Sequence, residues 1–392
     1  MTAAWAGASR PPAPPSRPGR QAVGRQDVKE ALAGIAREIA PALVGMDASE
    51  QAEVDERLIN LDGTPDKSRL GGNAIVAVSM AALHAAAASA GEPLWQYLAA
   101  GAPVRLPMPE IQIFGGGAHA GRRIDIQDLM VMAIAAKSFE QALEMTAEVY
   151  LAAGRLMADA GKRQGVADEG GYWPVFDSNE EAIETLVRAI ESAGFVPGSD
   201  VAISLDIAAS EFGAGGRYRL GLEARELDSD GLCELLEGWC RRYPIVSIED
   251  PLAEDDPAGL RRFTAAVGDK VQVIGDDFLV TNAALIAQAA ADRSVNAALI
   301  KVNQAGTITE TRAALAAAKA AGLGTIVSAR SGETEDLTIA HLAVGWDAGQ
   351  FKVGSFSRSE RMAKWNEMIR VEQSLGSGAR FAGCSWMPGR TA

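Results

Sequence analysis

Five charged residues, Asp206, Glu249, Asp276, Lys301 and Lys352, fall in or just after short apolar runs in the second half of the chain. The intervals between them mostly match one strand–helix unit of ~30 residues. Three carboxylates brought to one place make an all-oxygen site for a hard divalent cation. Magnesium (Mg2+) suits it best, because it keeps waters and substrate oxygens beside a few carboxylates. A lysine near such a site can act as a base if a neighbouring ammonium and a divalent cation lower its pKa. Removing a proton next to a carboxylate creates a dianionic enediolate, which a metal ion stabilises. Arg330 and Ser331 follow another run and offer a guanidinium fork and a hydroxyl to a phosphate or phosphonate.

Such side chains converge only if the elements carrying them are in register. The apolar runs are 201–205, 245–248, 271–274, 298–300, 324–327 and 350–353, separated by Ala-rich amphipathic stretches. Continuous apolar strands alternating with helices predict a parallel sheet covered on both faces. Six units in succession favour a closed barrel, whose chemistry belongs at the C-terminal mouth of its strands. No Gly-rich phosphate loop follows any run, which weakens an open doubly wound sheet.

Before the barrel, Val28, Leu32, Ile35, Ile39 and Leu43 step by three or four, predicting a helix with Asp27 as its N-cap. A second helix is expected over 73–90. The chain then divides into a Pro- and Arg-rich segment, 1–25, expected to be disordered, a mainly helical region, 26–103, and a barrel, 104–392. Its 392 residues can bury a large core. A net charge of −14 argues against a nucleic-acid partner. Cys233, Cys240 and Cys384 form no disulfide framework, so a reducing cytoplasm is expected. The apolar stretch 74–90 reads as a buried helix rather than a membrane span.

With these residues in view, the chain resembles the enolase family from about Gly24 to Gly383. The motifs include Leu61-Asp-Gly-Thr64, Asn73-Ala-Ile75, His119-Ala-Gly121, Asp168-Glu-Gly-Gly171, Ser247-Ile-Glu-Asp-Pro251, Gly275-Asp-Asp277, Lys301-Val-Asn-Gln304 and Arg358-Ser-Glu-Arg361. The resemblance implies an α/β fold, an enolase-type (β/α)8 barrel behind a truncated, mainly helical N-terminal domain, and a homodimer. It implies that Asp206, Glu249 and Asp276 hold the metal and that Lys301 removes the proton from carbon 2. Lys352 then contacts the substrate carboxylate, and Glu169 assists departure of the carbon-3 hydroxyl. Arg330 and Ser331 bind phosphate, while His119 and Gln127 line the substrate from mobile loops.

Three departures from the family pattern stand out. Ala329 replaces a histidine before Arg330-Ser331, Asp128 replaces a glutamate beside Gln127 as a catalytic group, and the N-terminal β-meander is lacking. Retained enolate chemistry with altered leaving-group surroundings points to a specialised lyase forming an enol phosphonate, such as a carboxyphosphonoenolpyruvate synthase. Ordinary dehydration of 2-phosphoglycerate is the alternative, and a non-catalytic enolase-like binding protein is a third reading from another class. A muconate-type barrel enzyme would share carboxylates and lysines but would need neither Arg330-Ser331 nor Asp168-Glu-Gly-Gly171.

Overall fold

The computed structural model describes residues 28–384, 387 and 388. The segment 1–25 and the expected N-cap Asp27 lie outside them. Among the described residues, all regular structure before Met108 is helical. The first helix runs from Lys29 to Leu43 with a π-type turn at Ile35–Ile39. The helix Gly72–Ala90 begins one residue before its expected start. A helix over Gln51–Asp62 was not anticipated, although Val54, Leu58 and Leu61 follow the helical spacing. These helices pack on Ile39, Val54, Leu58, Leu70, Ala74 and Ile75 as a small core of their own. Gly72–Ala90 is long and apolar enough to cross a bilayer, but here Ile75, Val76, Leu83 and Ala87 are buried within the fold.

The helical layer is tied to the barrel by polar contacts. Buried Asp55 accepts from Ser79 Oγ at 2.5 Å and from Thr309 N at 2.8 Å. Ser79 Oγ in turn accepts from Ile308 N at 2.9 Å, at the start of helix Ile308–Ala320. Satisfying both partners lets these groups stay buried without the penalty of an orphaned polar atom.

Eight strands close the barrel: β1 Met108–Gly115, β2 Asp128–Met132, β3 Ala202–Asp206, β4 Ile245–Glu249, β5 Gln272–Gly275, β6 Ala297–Ile300, β7 Gly324–Ser328 and β8 Gln350–Gly354. Each pairs with the next, and β8 pairs with β1 to complete the ring. All six anticipated runs are strands. The expectation of an all-parallel sheet needs correction: β2 is antiparallel to both β1 and β3. The physical reason is the connection, because residues 116–127 hold only a short 3-10 turn and no crossover helix. A parallel successor needs such a crossover, whereas an antiparallel one needs only a return loop. Two helices, Phe139–Asp159 and Asn179–Ser192, then pack together before β3.

Side-chain N-caps fix where the outer helices begin. Ser138, Ser178, Asp228, Asp256, Asn282 and Thr307 each accept from a backbone N–H in the first turn. Four of them, Asp228, Asp256, Asn282 and Thr307, start helices downstream of β3, β4, β5 and β6, and so set where each loop from the barrel mouth ends.

Candidate active site

Parallel strands reach the mouth with their last residues, and the reversed β2 reaches it with its first. Asp206 therefore faces Asp128 across β2–β3 and Glu249 across β3–β4, as direct ladder partners. Asp276 follows β5, Lys301 follows β6, Ala329 to Ser331 follow β7, and Lys352 lies in β8. All of the predicted positions except Glu169, His119 and Gln127 thus lie in a barrel strand or within three residues after one. Those three come from loops: Glu169 from the link between strands Arg163–Val166 and Tyr172–Pro174, and the other two from residues 116–127.

Lys352 is the electrostatic centre. Its Nζ lies 2.8 Å from Asp206 Oδ2, 2.7 Å from Glu249 Oε2 and 3.7 Å from Asp128 Oδ2. Burial alone would lower its pKa, but Asp206, Glu249 and Asp128 together hold it well above the usual lysine range. Glu249 is pushed well up, chiefly by burial and then by the charge of Asp206, although Lys352 opposes this. Its Oε1 is buried and has no hydrogen-bond partner. An orphaned, crowded carboxylate oxygen between Asp206 and Asp276 on neighbouring strands fits a divalent cation, which would relieve both burdens.

Asp276 is paired elsewhere: Lys301 Nζ donates to its Oδ2 and Gln304 Nε2 to its Oδ1, the latter at 2.9 Å. The pairing reverses the expectation for Lys301. Burial, Arg330 and Lys352 act to lower its pKa, but Asp276 and Glu249 outweigh them and it is raised. A cation drawing on those two carboxylates would tip the balance back. Among the described residues, the groups that bring three ligand atoms within 4.8 Å of one another are His119, Asp128 and Glu169, and Asp250, Asp276 and Asp277. The predicted trio Asp206, Glu249 and Asp276 stands on adjacent strands but is splayed towards the two lysines.

A second network closes over the mouth. Ser331 Oγ lies 2.7 Å from His119 Nε2 and donates to Glu169 Oε1 at 3.2 Å. His119 Nδ1 is 3.3 Å from Asp128 Oδ1, and Gln112 Nε2 donates to the same oxygen. Burial would lower the His119 pKa, yet Asp128, helped by Glu169 and Asp206, raises it to about 9. Burial also raises Glu169, but His119, Arg361 and the two lysines overcome it and hold the carboxyl below its ordinary value. The His119 imidazole in this chain of hydrogen bonds therefore carries its proton at neutral pH. Gln127 Nε2 donates to Asp206 Oδ2 at 3.0 Å, so both loop residues meet the strand-end carboxylates.

Arg330 donates to Asn303 Oδ1 at 3.2 Å. Its carbonyl and that of Ser331 accept from fully buried Arg361, at 2.7 and 2.5 Å, and the same guanidinium reaches Val353 O at 2.9 Å. Arg361 closes the motif Arg358-Ser-Glu-Arg361, and nothing in the sequence signals its role in shaping the Arg330–Ser331 turn. Gln112 was missed altogether. It and Glu110 alternate with apolar residues in Met108–Gly115, and an acid and an amide two apart in a buried strand signal a polar barrel interior. His84 bonds Thr338 at 2.8 Å and His341 lies 3.5 Å from Glu367, both away from this network.

Comparison with known proteins bears on the same residues. The family model for the enolase C-terminal TIM barrel domain matches residues 103–388, and that for the enolase N-terminal domain matches residues 11–98. The chain belongs to the enolase family. A curated relative, Enolase 1 of Desulfitobacterium hafniense (strain Y51), is 48% identical over 368 residues, covering 93% of this chain and 84% of that protein. The protein is accordingly a carbon–oxygen lyase of the enolase, or phosphopyruvate hydratase, type. Its barrel is the closed, mixed eight-stranded one described above.

Proposed function

We propose that the protein is a magnesium-dependent enolase that dehydrates 2-phosphoglycerate to phosphoenolpyruvate. The observation that carries this reading is the hydrogen-bonded chain His119–Ser331–Glu169, which joins three separate loops beside the lysine–carboxylate cluster. The expected specialised phosphonate enzyme gives way to the ordinary reaction, which the 48% identity to a protein named Enolase 1 favours. One of the departures also weighs less than its chemistry suggested: Asp128, though a methylene shorter than glutamate, lies within 3.3 Å of His119.

In this reading Lys301 accepts the proton from carbon 2. Lys352 binds the substrate carboxylate, and Arg330 with Ser331 binds the phosphate. Glu169 delivers a proton to the departing carbon-3 hydroxyl; the substrate's own negative charges raise its pKa towards that task. Protonated His119, one hydroxyl away through Ser331, is placed to replenish it. Asp206, Glu249 and Asp276 would hold magnesium, which would supply positive charge near the substrate carboxylate, a design general to enolase-superfamily sites. Cytoplasmic location and a homodimer belong to the same reading.

Purified protein incubated with 2-phosphoglycerate and magnesium should form the enol product at ~1–10³ turnovers per second. Preference for a phosphono-carboxylate over 2-phosphoglycerate would restore the specialised reading, and no turnover of either would favour a binding protein.

A further inference from the structure

Asp250, which directly follows Glu249, has a backbone φ of +39° and is buried. That left-handed conformation disfavours side chains other than those of glycine, asparagine and aspartate. It places the carboxylate across the neighbouring turn: Oδ1 accepts from Asp276 N at 2.9 Å and Oδ2 from Asp277 N at 2.8 Å. The main chain of Asp250 makes two further bonds, donating to Ile274 O at 3.0 Å and accepting from Ala209 N at 3.1 Å. One residue thereby fastens together the segments at the ends of β3, β4 and β5, which carry Asp206, Glu249 and Asp276.

The arrangement runs against like-charge repulsion. Asp250, Asp276 and Asp277 bring carboxylate oxygens within 4.8 Å of one another. The carboxylate accepts both amides at once, but it sets a second buried acid beside Asp276, with half-buried Asp277 next to them. Holding both amides fixes the backbone from which the Asp276 side chain projects. Magnesium demands near-ideal octahedral geometry, and functional side chains must be held within ~0.5 Å of their productive position.

Resting on the reading that Asp206, Glu249 and Asp276 hold magnesium, we infer that Asp250 is the positioning residue that sets the geometry of this cation site. Both of its carboxylate oxygens are engaged by main-chain N–H groups, so it serves as a positioning residue and not as a ligand. It acts through the backbone amides of Asp276 and Asp277.

The test is magnesium binding to the full-length, chelator-stripped protein by titration calorimetry, with hydrogen exchange at the 276–277 amides. Wild type should bind magnesium, and Glu249→Gln should abolish binding. Asp250→Asn tolerates the same φ but can accept only one of the two amide bonds. It should weaken magnesium binding at least tenfold and speed exchange at 276–277, with barrel amides elsewhere unchanged. Asp250→Gly relieves the backbone strain and removes both bonds, so it serves if the Asn variant folds poorly and should weaken binding further. Wild-type affinity retained in both variants overturns the role of Asp250 while leaving the metal site intact. Failure of the wild type to bind magnesium overturns both.

Discussion

Asp128→Asn isolates the interaction that charges His119. The imidazole is raised from 6.5 to about 9, and the difference, 9 − 6.5, at ~1.36 kcal/mol per unit, corresponds to about 3 kcal/mol of preferential stabilisation of the protonated ring. Burial opposes that form, and the hydrogen bond and charge of Asp128 are the leading groups that favour it. The neutral amide should lower the His119 pKa towards its ordinary value, with Glu169 and Asp206 still favouring the charged ring. With His84, His119 and His341 the chain's three histidines, ring-proton magnetic resonance of chelator-treated protein can follow each titration once single substitutions assign them. Because the folded-state pKa is raised, the linked stability is fully present below pH ~6.5 and is lost as pH climbs through ~9. The wild type's advantage over Asp128→Asn in urea unfolding should therefore shrink by about 3 kcal/mol between pH 6 and pH 10. A His119 that still titrates near 9 in the variant, or near 6.5 in the wild type, would refute this account of the pair.

Further outcomes follow from the same geometry. Lys301→Ala should abolish solvent exchange of the substrate's carbon-2 proton while magnesium binding, measured calorimetrically, persists; surviving exchange removes Lys301 as the base. Gly354 has φ +114°, and an added Cβ would lie 2.5 Å from Glu169 O. Gly354→Ala should cost about 1–3 kcal/mol in unfolding free energy and lower kcat by displacing Glu169; unchanged kinetics would show that the loop tolerates the shift. Magnesium at a hundred times its dissociation constant should stabilise the folded protein by about 2.7 kcal/mol, read as a rise in Tm that a chelator reverses. No shift would argue against a bound cation.

The barrel was legible because its strands are buried on both faces and read as unbroken apolar runs. Six of the eight were found that way. β1 and β2 escaped for different reasons: Glu110 and Gln112 interrupt the first, and the second returns without a helix, so no alternating period marks it. The charged residues at strand ends could be placed at one mouth from spacing alone, since a strand's last residue has a fixed address in a barrel. Their partners could not. Whether Asp276 turns to Lys301 or towards Asp206 and Glu249 is decided by side-chain rotamers and local charge, which leave no trace in spacing. The raised pKa of Lys301 is the clearest case, because its sign hangs on a balance between burial and four neighbouring charges. Asp250 was hidden for another reason: its work is done through backbone amides, which every sequence supplies equally.

The reversed direction of β2 gives the segment 116–127 an anatomy unlike the other barrel connections. Its neck is pinned where Gly116 N donates to Gln127 O at 2.7 Å and Gly117 N to Ile124 O at 2.9 Å. Both anchor points are on the same rim, so no outer helix is dragged when its tip is redesigned. Lengthening such a tip carries only the slowly growing entropy of closing a larger loop. Because this stretch carries His119 and Gln127, retuning which acid the barrel accepts belongs in residues 121–123 of its tip, with Lys301 and Glu169 on other segments left in place.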